Sequence, residues 1–70
     1  VQRGRADLPV LLALAQACRA VDDRGGAAAA LDYVLRIDGR NVVALLARAD
    51  LYHEAGDTRS AASFYQAALR

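Results

Sequence analysis

The sequence has no tryptophan, no methionine, one phenylalanine and three tyrosines. Its hydrophobic fraction of 56% is carried largely by alanine, which buries little area per residue. At about 25 cal/mol per Å2 of apolar surface removed from water, such a core barely offsets the entropy of ordering the chain. One cysteine excludes an intrachain disulfide and any metal site made of cysteines alone. No apolar run approaches the roughly 18 residues of a membrane span. The formal net charge of +1 gives no strong field to select a polyanion or a polycation. With so few aromatics, that balance argues against nucleic acid as a partner. The basic start, VQRGR, is not followed by a secretory core and cleavage site. Leu8 to Ala20 is apolar, but Gln16 interrupts it, so the expectation is a retained helix in a cytoplasmic chain.

Seventy residues allow one small domain. Its clearest stretch is Asn41 to Arg70, two helices joined by a Gly-Asp turn. Leu45, Ala49 and Tyr52 share one helical face, and Ala61, Tyr65, Ala68 and Leu69 share another. Gly56 fits the left-handed conformation that ends a helix, and Asp57 or Thr58 can cap the next one. This hairpin cannot bury both faces alone. A gapless shift of 34 residues lays the preceding chain over it. Leu11 falls on Leu45, Leu12 on Leu46, Asp23 on Asp57, Leu35 on Leu69 and Arg36 on Arg70. A fixed period of this length marks an array of repeated helical units.

Helices are therefore expected over 8–21, 27–37, 42–55 and 58–69. Asp7 stands where it can cap the first helix, and Pro9 sits in its first turn, where a missing N–H costs nothing. The first helix's core stripe reads Val10, Leu11, Leu14, Ala15, Cys18 and Val21. The second buries Ala27, Ala30, Leu31, Val34 and Leu35. Asp22 to Gly26 reads as a turn, and Asn41 as the third helix's cap.

The repeat resembles the tetratricopeptide family, whose pattern is W-x2-L-G-x2-Y…A-x3-F…P. The second copy reads Leu45-x2-Arg48-Ala49-x2-Tyr52, then Ala61-x3-Tyr65 and Ala68. The first reads Leu11-x2-Leu14-Ala15-x2-Cys18, then Ala27-x3-Leu31, Val34 and Gly39. Leu replaces Trp in both, Arg48 replaces a Leu, and Gly39 stands at the closing Pro. The resemblance covers Leu8 to Arg70. It implies an all-α fold, an α-α superhelix of two helix-turn-helix hairpins made of four antiparallel helices. The units are a lead-in over 1–7, a first repeat over 8–41 and a second over 42–70 that stops before its closing loop. Since the chain opens on Val1, the expectation is a segment of a longer protein.

Chemistry-bearing residues are sparse. Cys18 reads as a small buried hydrophobe, and no base stands at usable spacing from Ser60 or Ser63. Asp50, His53 and Glu54 share one helical face, but a metal would need a further ligand, and a solvated polar face is the better reading. DDRGG lacks the strand and the Lys-Ser/Thr of a phosphate loop. The expectation is no enzyme in this segment, no cofactor and no metal.

The resemblance implies partner binding on the face lined by the first helix of each unit. There lie Leu12, Gln16 and Arg19, then Leu46, Asp50 and His53. Members of the family that clamp a terminal carboxylate use Lys, Arg and Asn there. Only Arg19 fits, with Gln16 beside it, and Asp50 would repel the carboxylate. A mixed groove of this kind suits an amphipathic helix or an extended peptide. The expected function is a protein-interaction module; the rival is an accessory segment of a larger hydroxylase, transferase or sulfotransferase. The fourth helix has no unit beyond it. Phe64, Ala68 and Leu69 are therefore expected on an open side, available for self-association about a twofold axis.

Overall fold

The computed structural model describes residues 7–70; apart from Asp7, the expected lead-in lies outside the described residues. They form four α-helices and no strand: α1 Leu8–Ala20, α2 Arg24–Ile37, α3 Val42–Glu54 and α4 Thr58–Leu69. Short turns at 21–23, 38–41 and 55–57 fold consecutive helices back on one another. α1 packs on α2, α2 on α3, and α3 on α4. The backbone makes a slab of 38 × 30 × 13 Å. A slab this thin encloses no helix.

The 34-residue period reappears in the element boundaries. α1 maps onto α3 from first residue to last, and the start of α2 maps onto the start of α4. The turns repeat as well. α1 ends when the Asp22 N–H bonds the Arg19 carbonyl at 3.0 Å and the Asp23 N–H bonds the Cys18 carbonyl at 2.7 Å. α3 ends on the same pair of bonds, Gly56 to His53 at 3.0 Å and Asp57 to Tyr52 at 2.9 Å. This is the Schellman arrangement, which needs a left-handed residue just after the helix. Gly56 supplies it with φ 87°; at the first turn Asp22 adopts φ 62°. Asp23 and Asp57 then cap α2 and α4, their carboxylates accepting from the Gly26 and Ser60 N–H groups at 2.9 and 3.2 Å.

Several expectations are corrected. α2 starts at Arg24, three residues before the expected position, because the Asp23 cap recruits Gly25 and Gly26 into its first turn. A Cβ on Gly26 would collide with that carboxylate and lie 3.1 Å from the Cys18 Sγ. Asp7 makes no side-chain cap on α1, whereas Asn41 caps α3 by accepting from the Ala44 N–H at 3.0 Å. Most importantly, Val10, Leu14 and Val21 are not core: they are 68%, 51% and 75% exposed. α1 turns Leu8, Leu11, Leu12, Ala15 and Cys18 inward instead. These meet Ala27, Ala30, Leu31 and Val34 of α2 and Ala44, Ala47 and Leu51 of α3 in one continuous cluster.

Candidate binding face

Alanines at Ala15, Ala27, Ala44, Ala49 and Ala61 are nearly sealed from solvent and let the helix backbones approach closely. On one face the side chains of α1 and α3 meet. Arg19 reaches across and donates to the Glu54 Oε2 at 3.0 Å; its other terminal nitrogen lies 3.9 Å from the Asp50 Oδ2. From α4, the Tyr65 hydroxyl donates to the Asp50 Oδ1. One guanidinium, two carboxylates and a phenol thus tie three helices together on one face. The bond to the Asp50 carboxylate, helped by partial burial and by the charges of Asp50 and Glu54, holds the Tyr65 pKa above 10.0, with Arg19 opposing.

Of the residues expected on this face, Leu12 is half-buried against the core, and Gln16 and His53 are exposed. Leu46 is 42% exposed, an apolar side chain left open on α3. Leu12 and Leu46 occupy equivalent positions in the two units, as do Gln16 and Asp50. Glu54 joins Asp50 in facing Arg19, which leaves the cluster with one formal negative charge. A shallow cleft of about 350 Å3 opens beside it, lined by Gln16, Arg19, Ala20, Asp22, Arg24, Leu51 and Glu54. A somewhat larger cleft of about 440 Å3 lies elsewhere, between the α2–α3 turn and the end of α4, with Arg40 and Arg70 at its rim. It shares no residue with the polar cluster. Among the described residues no three His, Cys, Asp or Glu side chains are grouped to hold a metal ion.

Two engagements escaped the sequence reading. Arg48, read as a substitute for an apolar residue, spans three helices. Its Nε donates to the Asp32 Oδ1 of α2 at 2.8 Å, and a terminal nitrogen donates to the Tyr52 hydroxyl at 3.3 Å. Its guanidinium lies 4.7 Å from the centre of the Tyr52 ring and 6.0 Å from that of Phe64. Phe64 is the second. Its ring leans on Tyr52 at 5.3 Å, so it is half-buried against α3 rather than turned wholly to the open side. Ala68 is also half-buried, while Leu69 is 87% exposed. An i, i+4 search within α3 would have paired Arg48 with Tyr52; nothing local pointed to Asp32.

No helix of the described residues is long and apolar enough to cross a membrane. Comparison with protein-family models, curated proteins and solved structures finds no match to the chain.

Proposed function

We propose that this chain is a protein-interaction module of the tetratricopeptide-like kind, non-catalytic by itself, whose α1/α3 face receives a helix or extended peptide. The observation that carries the reading is the exposed Leu46 on a face whose polar groups are held by bonds between helices. A partner's apolar side chain can settle on Leu46 without disturbing the core. The cross-helix bonds keep Arg19 and Asp50 in place, so little ordering entropy is lost on docking. The excess carboxylate charge favours a peptide that brings a Lys or Arg beside its apolar anchor.

The test is selection of binding peptides from a displayed library, followed by mapping of amide chemical-shift changes on the chain. Selected peptides should carry a basic residue near an apolar anchor, and shifts should concentrate on α1 and α3. Leu46→Asp and Asp50→Arg should each weaken binding about tenfold or more, equivalent to about 1.4 kcal/mol. Peptides that bind indifferently to both changes would place the binding surface elsewhere.

A further inference from the structure

The repeat makes an internal control possible. Every α3 position has an α1 counterpart 34 residues earlier, but among the described residues α3 packs on two helices, α2 and α4, whereas α1 packs mainly on α2. Ala44, Ala47 and Leu51 are 0%, 6% and 5% exposed. Their counterparts Val10, Ala13 and Ala17 all face solvent. The other side of the join behaves the same way. Leu35 and Ala28 of α2 are partly buried against the core, whereas their α4 counterparts Leu69 and Ala62 are exposed. Among the described residues the α2-to-α3 join is made once, and an uncovered copy of each half remains, one on α1 and one on α4.

We propose that these two halves belong to each other: α4 of one copy docks on α1 of a second copy, head to tail, in the manner of the internal join. Two observations favour a second copy as the occupant. First, both complementary halves are present on the same molecule, continuous with an interface it already forms. Second, the charges fit. The internal join is bridged by Asp32 and Arg48; at the free ends these positions are Gln66 and Leu14, so docking strands no lone charge. A twofold contact between two α4 helices has less to bury. Its side offers Leu69 among Ala62, Ser63 and Gln66, with Phe64 already leaning on Tyr52. The exposed bulk lies on α1, as Val10, Leu14 and Val21.

A head-to-tail contact is heterologous and does not close on itself, so association should continue past the dimer. The test uses sedimentation over a concentration series with two double variants at exposed positions. Val10→Glu/Leu14→Glu blocks the α1 half, and Ala62→Glu/Leu69→Glu blocks the α4 half. Helical circular dichroism confirms that each remains folded. The wild-type mass should rise with concentration beyond two copies, and each variant alone should stay monomeric. Mixed together, the variants should form a one-to-one dimer that grows no further, because each retains the half the other lacks. Three results overturn the proposal: a wild-type chain monomeric up to millimolar concentration, a mixture that stays monomeric, or association that only the α4 variant abolishes. The last would establish the twofold contact instead.

Discussion

The two Schellman turns differ at one residue, and exchanging it isolates the cost of a left-handed side chain. Asp22 has φ 62° where Gly56 has φ 87°, with matching hydrogen bonds on either side. An L-residue in the left-handed region costs about 1–2 kcal/mol, and Asp, which tolerates that region, falls at the low end. Glycine relieves this but restores about 0.5–1 kcal/mol of unfolded-chain entropy. The Asp22 carboxylate adds little: its contact with Arg24 is 3.8 Å and its side chain is 87% exposed. It also lies just past the negative end of the α1 dipole and just before the positive end of that of α2, so the dipole effects largely cancel. Asp22→Gly should therefore stabilise the fold by at most about 0.5 kcal/mol, raising Tm by no more than about 2–4 °C in a domain of this size. Gly56→Asp should lower stability by a similar amount. Gly56→Ala should cost more, through backbone strain alone, since nothing lies within 4 Å of the added Cβ. Thermal unfolding followed by circular dichroism measures all three. A lower Tm for Asp22→Gly, or Gly56→Ala as stable as wild type, would refute the argument.

The caps and the cross-helix groups give further tests. Asn41→Ala and Asp57→Ala should each destabilise by about 1 kcal/mol in urea titrations, while Asp7→Ala, which removes no side-chain cap, should change stability little. Arg48→Ala should cost about 1–2 kcal/mol through lost packing and lost ring contact. Asp32→Asn, which removes only a partner that is 56% exposed, should cost under about 1 kcal/mol. In an ultraviolet titration Tyr65 should ionise above 10.0, and Tyr65→Phe should remove that late phase. Because folding raises the Tyr65 pKa, its contribution is complete below 10.0 and is lost as pH climbs through the raised value; stability falling instead from neutral pH would point to another group.

The helices and their order were legible because the repeat is gapless and each position is read twice. Where one copy is ambiguous, the other resolves it. The glycines at 25 and 26 look like turn residues in isolation, yet their counterparts Arg59 and Ser60 open α4 just behind Asp57. Shifting that cap back by one period puts the start of α2 at Arg24, where the structure has it. Gly26 marks close packing of the cap and Cys18 rather than a chain reversal.

The face assignments were harder to read because periodicity says which residues line up and not which side meets a neighbour. α1 carries apolar residues on two adjoining stripes, and only one is covered. Ala15, at 2% exposure, lies on the covered stripe; Leu14, next in sequence and larger, does not. Side-chain size is thus a poor guide here, since the burial of a position depends on which neighbouring helix covers it. The polar cluster shows the same limit. Arg19 could be placed on the binding face from sequence, but its two carboxylate neighbours sit one unit away, on a helix whose distance from α1 no local spacing sets. Ala49 is fully buried on the same helix as Asp50, so a larger side chain there should strain the packing beneath the face. Ala49→Val is expected to cost about 1–3 kcal/mol and to weaken peptide binding at Leu46 together with stability. A variant that lost stability but bound selected peptides unchanged would show that the face does not depend on the packing at Ala49.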